Sequence, residues 1–89
     1  PIIAIVGNDA KWNAEHQIQV RDYGAQRAFG CEMVPTRYDE MAKAMGCYGE
    51  NITDIAELVP AIDRAIASGL PACLNIAIQS IAAPAISRK

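Results

Sequence analysis

The chain opens on an unbroken apolar run, Ile2-Ile3-Ala4-Ile5-Val6, that stops at Gly7-Asn8-Asp9. Continuous rather than alternating apolarity is the pattern of a β-strand covered on both faces, and such a strand is predicted here. From Lys11 to about Arg27 the chain is polar and mixed, with Trp12, Ile18, Val20 and Tyr23 as scattered apolar anchors. This reads as a helix of undefined length ended near Gly24, followed by an irregular stretch through Gly30 and Pro35. Tyr38, Met41, Ala42 and Met45 then recur at helical spacing and predict a helix with these four on one face. Thr36 is its expected cap and Gly46 the left-handed residue that ends it. Met41 and Met45 are assigned to the core as filler.

Cys47 to Ile52 reads as a short strand. Asp54 and Glu57 have the spacing of a capping box, in which each side chain satisfies the other's backbone N–H. Ile55, Leu58, Ile62 and Ile66 form the expected buried stripe of the next helix, closed by Gly69 and Pro71. Pro60 fits that helix awkwardly, because an internal proline removes a hydrogen bond. Ala72 to Ile78 is the last strand, apolar except for Asn75, and 80–89 form a small, proline-containing, loosely attached tail. This order predicts an α/β fold over residues 1–79, part of a parallel sheet with flanking helices. Three strands leave an unpaired edge and an uncovered face, and the chain enters its first strand directly from Pro1. Both features predict an excised piece of a longer protein.

Composition narrows the function. Of 89 residues, 52% are hydrophobic and 20% charged, enough for one small domain with a core and unlike a disordered chain. The net charge of -2, with both signs interspersed, gives no basic stripe for nucleic acid. The longest apolar run is too short to span a membrane, and no signal-peptide pattern is present. Cys31, Cys47 and Cys73 are odd in number and form no C-x-x-C pair, so free or buried thiols in a reducing, cytoplasmic setting are expected.

Open parallel sheets bind ligands beyond the carboxyl ends of their strands, which here means Gly7, Asn8, Asp9 and Ala10. Gly7 is expected to let the backbone leave the strand sharply. Asn8 offers a neutral amide oxygen and Asp9 a charged one, donors suited to a hard cation such as Mg²⁺. Asn and Asp after a strand are also ordinary turn formers, so from spacing alone the turn and the metal site both stand.

The run Pro1-Ile2-Ile3-Ala4-Ile5-Val6-Gly7-Asn8-Asp9-Ala10-Lys11-Trp12 resembles the end of the thiamine diphosphate motif in acetolactate synthase-like, oxalyl-CoA decarboxylase-like and benzaldehyde lyase-like enzymes. That motif opens with Gly-Asp-Gly and closes on a strand ending in Asn-Asn or a close variant. Arg37 to Gly46 looks like the short helix that follows in these enzymes. Glu57 to Ala65 and Gly69 to Ile76 look like their final helix and strand, Pro60 included. The likeness covers nearly the whole chain, and its ordered blocks are more specific than the half-motif alone.

The resemblance implies that Asn8 supplies a side-chain ligand to Mg²⁺ and Ala10 a main-chain one. The ion is shared with the Asp of Gly-Asp-Gly, the cofactor diphosphate and a water. Asp9 takes a supporting role, while Lys11 and Trp12 open the helix beside the diphosphate and flank the substrate pocket. Gly7 stands where relatives usually carry Asn. The Gly-Asp-Gly half and the glutamate that drives ylide formation lie outside the chain, so the segment alone is expected to be inactive. The implied reaction makes or cleaves a C–C bond next to a carbonyl, on a small 2-oxo acid or an acyl-CoA. A homodimer or homotetramer is implied; FAD is compatible with the resemblance, though nothing in the chain calls for it.

Four residues invite roles that the pattern does not support. His16 follows the turn but reads as a surface histidine, and Glu15 is one position out of register with an acid found in some decarboxylases. Arg88 and Lys89 have the charge to meet coenzyme A phosphates, yet read more simply as a solvated basic end. The competing function is a non-catalytic α/β interaction domain in which Asn8-Asp9 is only a turn.

Overall fold

In the computed structural model, which describes residues 1–82, the elements follow in the order β1 (Ile3–Asn8), α1 (Asn13–Tyr23), α2 (Tyr38–Ala44), β2 (Tyr48–Ile52), α3 (Leu58–Ser68) and β3 (Ala72–Ala77). They fall into two compact units. The first combines Pro1–Asn8 with Pro35–Ile78, and the second contains Asp9–Val34 together with 79–82 of the described tail.

The first unit is an α/β layer. Its strands lie in the order β1-β3-β2, and both pairings are parallel. Ile3 pairs with Ala72 and Asn8 with Ala77, while Tyr48 and Ile52 face Ala72 and Ile76. The apolar β3 is therefore the central strand, which suits its near-continuous hydrophobicity. The core comprises Ile52, Ala61, Ala65, Ala72 and Leu74, with Ile3, Tyr48, Leu58, Ile62 and Ile76 packed around it.

Several expectations change at this level. The buried face of α3 is centred on Ala61 and Ala65, whereas Ile55 and Ile66 are 76% and 64% exposed. Small side chains are what this face puts against the sheet, and the larger Leu58 and Ile62 border it. Similarly, α2 buries Asp39 and Ala42, leaving Met41 and Met45 53% and 75% exposed rather than in the core. The reason is Gly49. A Cβ there would lie 2.9 Å from the Asp39 carbonyl carbon, so α2 approaches β2 through the backbone at Asp39.

Local capping differs as well. Arg37, not Thr36, precedes α2, and no side chain caps that end. The Asp54 carboxylate accepts the Ala56 N–H at 3.0 Å and starts a single 3₁₀ turn, Ile55–Glu57, in place of the reciprocal capping box. With the α-helix beginning at Leu58, Pro60 falls in its first turn, where a missing N–H leaves no bond broken. Gly46 and Gly69 do take positive φ after their helices. Nor is β1 covered on both faces: Ile5, in the middle of the strand, is 51% exposed.

In the second unit α1 ends at Gly24, and Ala25–Arg27 form one 3₁₀ turn. None of the residues of α1 is buried. The Gln19 amide holds the loop that follows, donating to the Phe29 carbonyl and accepting the Phe29 N–H, each at 3.0 Å. The three cysteines are free thiols. Among the described residues no helix is long and apolar enough to cross a membrane.

Candidate cofactor-anchoring site

Gly7 and Asn8 are the last two residues of β1. Gly7 is not the point where the chain leaves the strand; it pairs with Ile76 inside the ladder. Asn8 reaches two acceptors. Its Nδ2 donates to the Thr36 carbonyl oxygen at 2.8 Å and to Asn75 Oδ1 at 3.1 Å. Asn75, 3% exposed in β3, donates in turn to Asn51 Oδ1 of β2 at 2.9 Å. Three amides thus join three parallel strands. A hard cation binds amide oxygen rather than amide nitrogen, and here nitrogen is the atom that these bonds engage.

In the second unit, Asp9 behaves as a turn former: its Oδ1 accepts the Lys11 N–H at 3.2 Å, and its carbonyl accepts the Ser80 hydroxyl at 3.2 Å. Ala10 has φ 56°, a left-handed conformation that a non-glycine residue takes at a cost. Its carbonyl accepts the Met33 N–H at 2.8 Å, and Trp12 N–H donates to the Cys31 carbonyl, also at 2.8 Å. Lys11 lies between them in an antiparallel bridge with Glu32. The segment 31–33 therefore fixes the backbone of 10–12. The Met33 bond orients the Ala10 oxygen.

The first unit also holds two arginine–carboxylate pairs whose arginines are about half-exposed. Arg37 grips both oxygens of the fully buried Asp39 at 2.9 and 2.8 Å, holding that carboxyl below its usual pKa against the opposing effect of burial. Arg64 does the same for Glu50, which also accepts the Tyr48 hydroxyl at 2.7 Å. Burial pushes the Cys73 thiol up.

Residues 1–76 match the family model described as the thiamine pyrophosphate enzyme C-terminal TPP-binding domain. The chain belongs to this family. Over 76 residues, 84% of its length, this TPP-binding domain is 41% identical to the acetolactate synthase large subunit IlvG of Mycobacterium tuberculosis. It is also 41% identical over 54 residues, 61% of the chain, to 2-hydroxyacyl-CoA lyase 2 of Caenorhabditis elegans. Sulfoacetaldehyde acetyltransferase of Alcaligenes xylosoxydans matches at 33% over 66 residues, 74% of the chain. The domain spans only 14%, 8% and 11% of the lengths of these three relatives.

Of the remaining candidates in this TPP-binding domain, His16 lines a shallow cavity of about 290 Å³ with Phe29, Cys31 and Glu32. Its backbone N–H makes the first helical bond to Trp12. Glu15 is exposed on α1, and Arg88 and Lys89 lie outside the described residues. Sequence reasoning did not give a role to Asn75, Asn51, the Thr36 carbonyl or the 31–33 segment. For Asn75 a signal was present: it is an amide inside an otherwise apolar strand, and a buried amide requires partners. Among the described residues no cluster of three or more His, Cys, Asp or Glu side chains is placed to hold a metal.

Proposed function

We propose that this domain is part of a longer thiamine diphosphate- and Mg²⁺-dependent enzyme and helps to anchor the cofactor's diphosphate through the metal. Asn8 Oδ1 and the Ala10 peptide oxygen serve as ligands, two positions apart in the chain. Gly7 and Asp9 shape their surroundings, and Lys11 and Trp12 lie where the chain enters α1 beside the diphosphate. The observation that carries this reading is the engagement of the Asn8 amide nitrogen by Thr36 and Asn75, which fixes the way the amide is turned. Donor chemistry agrees, since Mg²⁺ takes oxygen ligands in rigid octahedral geometry and commonly shares them with substrate phosphates.

Carbanion chemistry is what thiamine diphosphate supplies when bound, while the residues here bind and orient. The enzyme makes or cleaves a C–C bond adjacent to a carbonyl, on a small 2-oxo acid or an acyl-CoA. Relatives named acetolactate synthase and 2-hydroxyacyl-CoA lyase support that class. The short span of the domain against those relatives supports a catalytic site completed by other parts of the protein, in a homodimer or homotetramer in the cytoplasm. The segment by itself is inactive on this reading.

The test is Asn8→Ala in the full-length protein, with thiamine diphosphate titrated calorimetrically in the presence of Mg²⁺. Loss of at least about tenfold in cofactor affinity is expected, the scale of a disrupted metal shell. Unchanged affinity overturns the assignment.

A further inference from the structure

The direction of the three-amide chain is fixed by its first member. The Thr36 peptide oxygen can only accept, so the Asn8 atom 2.8 Å from it is nitrogen. That nitrogen carries two hydrogens, and the second points to Asn75 at 3.1 Å, which requires oxygen there. The far end of the Asn75 amide is then nitrogen, and it donates to Asn51 Oδ1 at 2.9 Å. One main-chain carbonyl sets the sense of all three side chains. Turning the Asn8 amide over would place its oxygen against two acceptors and forfeit both bonds.

We propose that Asn75 is a positioning residue that, through this ladder, locks the Asn8 amide with its oxygen oriented for the metal before the metal arrives. This deepens the reading of Asn8 as a ligand and rests on it. Asn75 touches neither metal nor cofactor. It acts by occupying the second Asn8 N–H, and Asn51 secures it by taking its own donor end. Burial makes the arrangement stiff, because Asn75 is 3% exposed and has no water to replace a lost partner. A ligand ordered in advance spares the cation the cost of ordering it on binding.

The experiment titrates Mg²⁺ into the full-length protein at fixed, saturating thiamine diphosphate and reads half-saturation calorimetrically for Asn75→Leu, Asn75→Asp and Asn8→Ala. Asn75→Leu removes the acceptor and should raise half-saturating Mg²⁺ by about tenfold or more. Asn75→Asp keeps an acceptor facing Asn8 and should stay near the wild type. Both remove the donor that Asn75 offers to Asn51 and lower the melting temperature, so the Mg²⁺ midpoint separates positioning from mere structure. If Asn75→Leu does not fold, Asn75→Ser, too short to reach Asn8, is expected to show the same rise. An unchanged midpoint in the Leu or Ser variant, or an equal rise in Asn75→Asp, overturns the positioning role while a raised midpoint in Asn8→Ala keeps the ligand assignment. An unchanged midpoint in Asn8→Ala removes the ligand assignment and the positioning role with it.

Discussion

Gly49 and Asp39 meet backbone against backbone: a methyl group on Gly49 would press into the Asp39 carbonyl and also come within 3.1 Å of Lys43 Cγ. Main chain cannot move aside as a flexible side chain would. Gly49→Ala should therefore force α2 off β2 and destabilise by about 1–3 kcal/mol, the usual scale of overpacking. Urea unfolding of the full-length protein checks it, and a midpoint equal to the wild type would refute it.

Asp39 itself gives a pH signature. Its folded pKa, like that of Glu50, is lowered by hydrogen bonds from an arginine. A lowered folded pKa contributes stability above the ordinary carboxylate range, near pH 4, that is lost as pH falls through that range and below. Arg37 is half-exposed, so solvent moderates the effect. Asp39→Asn should be less stable at neutral pH and lose less on acidification. Comparing urea midpoints at pH 7 and pH 3 decides; an identical acid loss in both proteins would speak against the pair.

Asn8→Asp is conservative for the proposed metal ligand in one respect, since it keeps an oxygen and adds charge. The ladder predicts otherwise in the metal-free protein. The introduced carboxylate would face the Thr36 carbonyl and Asn75 Oδ1, two acceptors that now meet an N–H each. Its pKa should rise, so the penalty sets in as pH climbs through that raised value and is relieved below it. The expected result is a lower melting temperature at pH 8 than at pH 5, relative to the wild type at each pH.

Pro60→Ala should change stability by less than about 1 kcal/mol, because the proline occupies a first-turn position where its fixed φ suits the helix and its absent N–H breaks no bond. A loss of several kcal/mol would show that the ring makes contacts of its own.

The strands and helices were legible because each announces itself locally: β-branched runs, helical recurrence, and glycines at 24, 46 and 69 that take positive φ. Which faces are buried was not legible. Periodicity places Ile55, Met41 and Ala42 without saying which side meets the sheet, and a glycine contact at residue 49 decided it for α2. For the candidate site, Asn8 stood out because a strand ends there, and the ligand role was only what the resemblance implies. Its partners did not stand out, since Asn51 and Asn75 lie 43 and 67 residues away and only register brings them alongside. The tail from 83 onward lies outside the described residues, and Arg88 and Lys89 with it.

Ala10 holds a backbone shape that glycine would adopt at less cost. Glycine there would ease the strain yet admit many more turns, and the oxygen now aimed by the bond from Met33 would wander among them. The methyl group thus makes this corner a latch rather than a hinge, with a modest loss of stability exchanged for a single direction.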